Sequence, residues 1–318
     1  MYFLSLFISL ILLHSPTTTS SQSLIAVIDA SVDEYVACVL VTTMDEYHLD
    51  GIIIVNADCL AGPAMNSLWK VLSYLELENQ IPIGLSSVKG QNSFPWSYRG
   101  DSALLGQIEI FNEIENNSSW PVYPSSSNDS LSFNILSGSY PDGDSLLVSL
   151  LKDAYDNDER ITLLVHCPLT PIAECLQINP ELESVIDRMI WMGGALGDQP
   201  GSLDPNTLPS VVANPKAEWN AFWDSTAVSW ILANTSFPIT MFPLNVTDQA
   251  KLTQAFKNTL YQQANTSTYS RLAYECYSVV KDEPFFEMWN VSTTCYLTRP
   301  ELFQEPVTMQ LDIITDGY

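Results

Sequence analysis

Residues 24–34 read LIAVIDASVDE, in which the apolar run Leu24–Ile28 leads directly into three carboxylates within six positions. A continuous apolar run that is rich in β-branched side chains is typical of a parallel strand buried on both faces. Asp33 and Glu34 are typical of the first turn of a helix, where they complement the helix dipole. The stretch therefore predicts a strand–turn–helix unit with Asp29 at the carboxyl end of the strand.

The same strand–helix pattern recurs along the chain. Further apolar runs predict strands at Gly51–Val55, Ile161–Val165, Met189–Met192 and Pro238–Phe242. Helical periodicity predicts helices at Asp33–Met44, Ala64–Leu77, Ser145–Tyr155, Thr170–Leu176 and Ser225–Ala233. From Asp248 the chain is predicted to be mainly helical, up to a strand at Val307–Ile314. This alternation predicts an α/β fold, with an open, twisted, mostly parallel (mixed) sheet flanked by helices.

The organisation of the chain favours one large domain after a leader. Residues 1–13 are almost entirely apolar but too short to span a bilayer, and small and polar residues follow them. This predicts a signal peptide over residues 1–22, a domain over 23–318 and no stable membrane span. Residues 116–143 are rich in Ser, Asn, Pro and Asp, which predicts a surface insertion.

Seven glycosylation sequons and six cysteines bear on the compartment. The sequons begin at Asn116, Asn117, Asn128, Asn234, Asn245, Asn265 and Asn290. Together with the leader they predict a glycoprotein of the secretory pathway or the extracellular space. No cysteine spacing suggests zinc, and in an oxidising compartment disulfides between some cysteines stay open. Cys38 and Cys167 lie in apolar runs and are predicted to be buried free thiols.

Charge and composition exclude several classes of function. The chain has 37 Asp and Glu against 12 Lys and Arg, a formal net charge of −25. This acidity would repel a nucleic-acid polymer or an anionic membrane surface. Only three histidines occur, which excludes a catalytic histidine cluster. The hydrophobic fraction of 46% supports a large packed core rather than wholesale disorder.

The acidic turn after the first strand suggests a cation site. In open α/β sheets, ligands bind at the carboxyl ends of strands. Asp29, Asp33 and Glu34 would repel one another unless a cation or hydrogen-bond donors compensated their charges. Oxygen ligands of this type suit Ca²⁺ or Mg²⁺. An ordinary helix N-terminus is the alternative interpretation, and spacing alone leaves both open.

Further polar blocks follow the other predicted strands in order. They are Asn56–Cys59, Cys167–Pro171 (CPLTP), Met192–Ala195 (MGGA), Ala217–Ser225 (AEWNAFWDS) and Phe237–Thr247 (FPITMFPLNVT). Together with Asp29, Asp33 and Glu34, this ordered set resembles the inosine-uridine preferring nucleoside hydrolase family from Leu24 to the C-terminus. The stretch Pro95–Arg99 is also similar to a branch of this family.

The resemblance implies a nucleoside hydrolase-like fold and hydrolysis of the N-glycosidic bond of ribonucleosides by a Ca²⁺-bound water. Asp29 would be the catalytic general base. The implied Ca²⁺ ligands are Asp29, Glu34, the backbone carbonyl of His166 and the side chain of Asn290. The implied partner is a small-molecule nucleoside. Whether the chain forms a homo-oligomer stays open.

The resemblance also implies contacts with the two halves of the substrate. Asp33, Asp58, Glu218 and Asn220 would hold the ribose hydroxyls. Trp289, alone or with Trp96, would stack on the nucleobase, which favours purines. For Trp96, an ordinary core position is the preferred interpretation.

This sequence departs from the family pattern at the expected metal site. Ala30-Ser31 replaces Pro-Gly, Glu34 replaces an aspartate, and Asn290 replaces an aspartate. The last change removes one negative charge, which predicts a lower Ca²⁺ affinity. Asn290 also begins a sequon, and a glycosylated, solvent-facing Asn290 cannot be a ligand.

Two alternatives to the enzyme stay open, one favoured by these departures and one that explains the sequons and the acidity. One is a catalytically silent relative that binds a nucleoside or sugar. The other is a glycosylated structural or surface protein without a small-molecule site, which leaves the strand-end carboxylates unexplained.

Overall fold

The computed structural model describes residues 21–92, 100–115, 140–197, 201–202, 214–283, 286–311 and 313. The predicted signal peptide lies outside this part of the chain up to residue 20, as do residues 116–139 of the predicted insertion. The stretch 95–99 with Trp96, and the sequons at Asn116, Asn117 and Asn128, also lie outside the described residues.

Six strands form one sheet in the order β3-β2-β1-β4-β5-β6. They are β1 (Gln22–Ile28), β2 (Tyr47–Ile54), β3 (Ile83–Leu85), β4 (Ile161–His166), β5 (Ile186–Met192) and β6 (Ile239–Phe242). All neighbouring strands are parallel, so the antiparallel component of a mixed sheet is not found in the described residues. The α/β class is confirmed, as are the five strands predicted from Leu24 to Phe242.

Burial on both faces explains why the strands read as continuous apolar runs. In β1, Leu24, Ala26 and Ile28 belong to one hydrophobic core. Ile25 and Val27, which alternate with them, belong to a second core on the opposite face. Since neither face of the strand meets solvent, no polar residue interrupts it.

Helices cover both faces of the sheet. The helices are α1 (Val32–Val41), α2 (Ala61–Tyr74), α3 (Asp101–Leu105), α4 (Asn112–Glu115), α5 (Gly143–Asn157), α6 (Thr170–Ile178), α7 (Trp219–Trp223), α8 (Ser225–Asn234), α9 (Leu244–Thr247), α10 (Gln254–Gln263), α11 (Thr268–Val279) and α12 (Trp289–Cys295). Helices α1, α2 and α11 pack in the first core, and α5, α6 and α8 in the second. In the described part of the chain, no helix is both long and apolar enough to cross a membrane.

Two predicted helix boundaries differ from the observed ones, and local side-chain hydrogen bonds explain both differences. Helix α1 ends at Val41 rather than Met44, because the hydroxyls of Thr42 and Thr43 donate back to carbonyls of the last turn. Helix α5 begins at Gly143 rather than Ser145, because Asp142 caps it and accepts from the amides of residues 144 and 145.

The predicted strand at Val307–Ile314 is wrong for the residues that the structure describes. Residues 307–311 have no regular secondary structure and join no sheet, and Val307 and Met309 are exposed. Strand β3, by contrast, was not predicted, since it has only three residues and contains Gly84. In short segments, pairing with a neighbouring strand decides the structure more than the local pattern does.

All six cysteines are free and buried. The prediction of buried thiols at Cys38 and Cys167 is confirmed, and none of the cysteines forms a disulfide. Burial raises the pKa of the Cys175 thiol to about 11 and that of Cys295 to about 12. Because the thiolate is the reactive form, these cysteines are structural rather than nucleophilic.

Candidate active site

The candidate site lies at the carboxyl ends of β1 and β4, where the strand order reverses. Ile28 pairs with His166 at the last position of both strands, so Asp29 emerges beside the end of β4. Chains leave β1 and β4 towards opposite edges of the sheet, which opens a crevice between the loops that follow them. The loops after β1 and β4 therefore flank this crevice.

The turn between β1 and α1 is tight, and Ala30 is its left-handed residue. Ala30 has a positive φ of 67°, which L-residues rarely adopt. The carbonyl of Ala30 accepts a hydrogen bond from the Ser102 hydroxyl at 2.6 Å. The turn expected from Pro-Gly in the family thus forms here with Ala-Ser, at the cost of backbone strain of about 1 kcal/mol.

Glu34 folds back over this turn. One of its carboxylate oxygens accepts from the Asp29 amide at 3.1 Å, and the other accepts from the Ser31 amide at 2.5 Å. The extra methylene of glutamate is what lets a residue of the first helical turn reach these two amides. Asp29 and Glu34 are both buried, and their carboxyl groups are in hydrogen-bonding contact.

Burial and mutual repulsion disfavour the ionised forms of Asp29 and Glu34. The pKa of Asp29 is raised well above its ordinary value, first by burial and then by the negative charges of Glu34, Asp58 and Glu218. Burial also raises the pKa of Glu34 to about 8, although its bonds to the turn oppose this. Near neutral pH the pair therefore requires a shared proton or a bound cation.

Asp58 lies close enough to Asp29 and Glu34 to raise the pKa of both. It is half-buried in the loop after β2. Two residues earlier, the side-chain oxygen of Asn56 is buried without a hydrogen-bond partner. This loop is tied to the β1 turn by the Cys59 amide, which donates to the Asp29 carbonyl at 3.4 Å.

Asp33 takes a different place from the one expected of a ribose ligand. It is fully buried, and its Oδ1 accepts from the Tyr277 hydroxyl at 2.6 Å. Its Oδ2 accepts from the backbone amides of Asn290 at 2.5 Å and Val291 at 3.2 Å. Burial raises the pKa of Asp33 to about 7, and these three bonds oppose the rise. The ribose contact of Asp33 stays a prediction.

Asn290 is buried near the start of α12, so its sequon is not a glycan acceptor in the folded chain. Ser292, the third residue of that sequon, is buried too and donates to the Trp289 carbonyl. The Oδ1 atom of Asn290 is buried and has no hydrogen-bond partner. An unpartnered buried amide oxygen is costly unless a ligand or ion satisfies it.

His166 closes the site from β4. Its imidazole is buried, and burial lowers its pKa to about 3, so the ring is neutral. Nε2 lies 3.5 Å from the Thr294 hydroxyl of α12, and Nδ1 has no partner. The ring therefore packs towards α12, while the backbone carbonyl is the group that the resemblance assigns to a metal.

Glu218 and Asn220 connect α7 to the end of β5. The Glu218 carboxylate accepts from the amides of Gly194 at 2.6 Å, Asn220 at 2.8 Å and Ala221 at 3.1 Å. Burial still raises the pKa of Glu218. The Asn220 side chain donates to the Met192 carbonyl at 3.0 Å. Both side chains are thus held rigidly against the MGGA block.

Trp289 is half-buried, and its indole N–H donates to Asp248 Oδ1 at 2.8 Å. Asp248 also lies near enough to Glu218 to raise the pKa of that carboxyl. Trp289 is therefore linked to the site through Asp248, which sequence reasoning missed. Its signal was its place directly after the Phe237–Thr247 block.

The oxygen donors expected to hold a divalent cation come from the turn after β1, the end of β4 and the start of α12. The described residues contain no group of three His, Cys, Asp or Glu side chains placed to hold a metal. The expected set has only two carboxylates, Asp29 and Glu34, with the Asn290 amide and the His166 carbonyl. The unpartnered Asn290 oxygen and the two carboxyls in contact fit a hard cation such as Ca²⁺.

The chain is similar to known proteins in sequence and in fold. A family model described as inosine-uridine preferring nucleoside hydrolase matches residues 24–318. The non-specific ribonucleoside hydrolase RihC of Escherichia coli strain K12 is 30% identical over 145 residues, which are 46% of this chain and 43% of that protein. The match therefore spans less than half the length of this curated relative.

Two solved structures are similar over most of the chain. An inosine-uridine preferring nucleoside hydrolase from Bacillus anthracis has a TM-score of 0.71 and 25% identity, over 88% of this chain and 83% of that one. A purine-preferring ribonucleoside hydrolase from Gardnerella vaginalis shares the fold, with a TM-score of 0.65 and 19% identity over 93% and 85%. On the match over residues 24–318, the chain belongs to the inosine-uridine preferring nucleoside hydrolase family.

Proposed function

We propose that this protein hydrolyses the N-glycosidic bond of ribonucleosides, with Asp29 as the general base. The observation that carries the proposal is the buried Asp29 carboxyl at the β1–β4 crevice, surrounded by Glu34, Asp58 and Glu218. Family membership supplies the reaction class.

We further propose that the site holds Ca²⁺, through Asp29, Glu34, the His166 carbonyl and the Asn290 side chain. When bound, the ion supplies positive charge that offsets the buried carboxylates and lowers the pKa of a coordinated water. With two charged ligands, this set carries a formal charge of −2, one less than a set with three carboxylates. A site with fewer charges binds Ca²⁺ more weakly.

Asp29 directly follows β1 and is buried beside the end of β4, which suits the role of general base towards a water bound there. The attacking water gives a proton to the Asp29 carboxylate while its oxygen bonds to C1′ of the ribose. The N-glycosidic bond breaks and its electron pair leaves with the nucleobase. The departing nucleobase then takes a proton from solvent.

Glu218 and Asn220 are proposed to hold the sugar. Three backbone amides fix the Glu218 carboxylate, so that it needs little reorganisation when positive charge develops on the ribose ring. An oxocarbenium-like transition state is stabilised by such a fixed negative charge and by hydrogen bonds to the sugar hydroxyls. Asp58 completes the proposed ribose set.

Trp289 is the proposed base-stacking residue, which gives a preference for purines. The bond to Asp248 fixes the edge of the indole ring, and Phe286 packs edge-on against it at 5.3 Å. A ring fixed in this way loses little entropy on stacking, and each stacked pair contributes about 1 kcal/mol beyond burial.

The test is release of ribose from inosine, adenosine and uridine, with Ca²⁺ or with EDTA. The proposal predicts release with Ca²⁺, faster from the purine nucleosides, and its loss with EDTA and in Asp29→Asn. Asp187→Asn, the same change at the amino end of β5, is the matched control and should keep the activity. No ribose release from any of the three nucleosides refutes the proposal.

A second candidate is a relative that binds nucleosides without turnover. It is favoured by the Asn290 amide and by the bonds that hold both Glu34 oxygens on the β1 turn. Saturable binding of inosine without ribose release would select it over the enzyme.

We also propose that the protein enters the secretory pathway. The described sequons at Asn234 and Asn265 are exposed, whereas the one at Asn290 is buried. Expression of the full chain in a glycosylating cell should give a product whose mass falls on digestion with an N-glycan-removing enzyme. An unchanged mass contradicts export.

A further inference from the structure

Both carboxylate oxygens of Asp33 accept hydrogen bonds from elsewhere in the fold. The donors are the Tyr277 hydroxyl and the backbone amides of Asn290 and Val291. The side chain is fully buried. Since the two amides begin α12, Asp33 of α1 acts as a capping group for another helix.

Tyr277 fixes the other side of this carboxylate. It lies on α11, is fully buried, and its ring meets Phe256 and Phe286 edge-on at 6.1 and 6.5 Å. The packed ring leaves the hydroxyl little freedom to turn elsewhere. The carboxylate of Asp33 is therefore held between two helices that are distant in sequence.

The helix that Asp33 holds carries Asn290. The Asn290 carbonyl accepts from the Thr294 hydroxyl at 2.8 Å, and that hydroxyl lies 3.5 Å from His166 Nε2. The backbone of Asn290 is thus fixed at its amide by Asp33 and at its carbonyl by Thr294. Its side-chain oxygen, in contrast, is buried without a partner.

We propose that Tyr277 and Asp33 are positioning residues, which lock the start of α12 so that the Asn290 side-chain oxygen is available to the cation. This inference rests on the proposed Ca²⁺ site but not on hydrolysis. Groups that orient ligands commonly change metal affinity 10- to 100-fold when they are removed. Because Tyr277 acts through Asp33 and the Asn290 backbone, we expect an effect of about 10-fold.

The test compares Tyr277→Phe with Tyr274→Phe. The first variant removes only the hydroxyl that bonds Asp33. The second removes a hydroxyl one turn earlier on the same helix, where Tyr274 is half-buried and its ring meets Tyr261. Both variants keep the aromatic ring, so both should fold.

Two measurements read the effect, Ca²⁺ titration by calorimetry and amide hydrogen exchange. We expect Tyr277→Phe to raise the Ca²⁺ Kd about 10-fold and to speed exchange at the amides of Asn290 and Val291. Tyr274→Phe should leave both unchanged. Wild-type Ca²⁺ affinity in Tyr277→Phe overturns the inference, even if its Tm falls, because a purely structural role would lower only stability.

Failure of the proposed enzyme activity is distinguishable from failure of this inference. If Tyr277→Phe binds Ca²⁺ more weakly but the wild-type chain releases no ribose, the positioning role stands and the hydrolase proposal falls. If the wild-type chain does not bind Ca²⁺, the positioning role falls whether or not ribose is released.

Discussion

Asn290 carries an amide where the family resemblance expects a carboxylate, and its buried Oδ1 has no hydrogen-bond partner. We predict that Asn290→Asp binds Ca²⁺ about 10-fold more tightly, because added ligand charge raises the affinity of such sites. Without Ca²⁺ the variant should unfold at a lower temperature, since it buries another carboxylate.

Asn234→Asp is the matched control for this change. Asn234 is the last residue of α8 and is exposed, so the same change in charge occurs far from the carboxyl pair. Calorimetric titration should give an unchanged Kd for this control. An equal gain in both variants would assign the effect to net charge rather than to coordination by residue 290.

Ala30 holds the turn after β1 in a left-handed conformation, with φ of 67°. We predict that Ala30→Gly changes the free energy of unfolding by less than about 0.5 kcal/mol. Relief of the strained backbone, about 1 kcal/mol, offsets the loss of one buried methyl group, about 0.8 kcal/mol.

Ala37→Gly is the comparison, since Ala37 is equally buried but lies inside α1. There the lost methyl and the helix propensity act in the same direction, and we expect destabilisation of about 2 kcal/mol. Denaturant unfolding measures both variants. Equal costs would show that the positive φ of Ala30 carries no strain.

Two closely packed glycines at the end of β5, Gly193 and Gly194, help to position Glu218. A Cβ at Gly193 would lie 2.2 Å from the Trp191 ring, which is buried and donates to the Cys167 carbonyl. Gly193→Ala should therefore displace the Trp191 ring and reduce the free energy of unfolding by about 2 kcal/mol. The displacement should also disturb the next amide, that of Gly194, which donates to Glu218.

Gly100→Ala is the control, since no atom lies within 4 Å of its added Cβ and its φ is −87°. We expect a change of less than about 0.5 kcal/mol there. Thermal and denaturant unfolding of the two variants check the comparison. A neutral Gly193→Ala would mean that the Trp191 ring can move freely, against the packing described above.

The elements that the sequence predicts well are those whose burial is complete. Strands such as β1 and β4 are recognisable because both faces are apolar, and the carboxylates that follow β1 mark the crevice without any tertiary information. Strand β3 was missed because it has three residues. The Val307–Ile314 prediction failed because residues 307–311, although they have the composition of a strand, pair with no strand in the part of the chain that the structure describes.

The parts of the site that escaped prediction depend on contacts between distant segments. The bond from the Asn290 amide to Asp33 joins residues 257 positions apart, and the bond from Tyr277 to Asp33 joins residues 244 apart. No local pattern marks Tyr277 in α11. Glu34, by contrast, was correctly placed beside Asp29, because the two are five positions apart across one turn.

For the whole molecule, the buried carboxyls predict a dependence of stability on pH. In the metal-free protein, burial raises the pKa of Asp33 from 3.8 to about 7 and that of Glu34 from 4.5 to about 8. A carboxyl with a higher pKa in the folded state stabilises the fold while it is protonated. That contribution is lost as the pH rises through the folded pKa. Burial lowers the pKa of His166 from 6.5 to about 3. Above pH 6.5 the ring is therefore mainly neutral in the folded and the unfolded chain, and it adds little to the pH dependence of stability there.

We therefore expect the Tm of the metal-free protein to fall between about pH 6.5 and about pH 8.5. Ca²⁺ should raise the Tm more at the upper pH, because the ion binds the ionised carboxylates and stabilises only the folded state. Thermal unfolding with EDTA or Ca²⁺ at both pH values checks this. An equal effect of Ca²⁺ at both would place its binding away from these carboxyls.

Calorimetric titration of the intact protein with Ca²⁺, beside Asp29→Asn and Asp187→Asn, tests most directly whether the loops after β1 and β4 share one ion with α12. We predict one Ca²⁺ per chain in the wild type and in Asp187→Asn, and loss of that binding in Asp29→Asn. Identical isotherms for the wild type and Asp29→Asn would contradict the cation site and the Asp29 chemistry built on it.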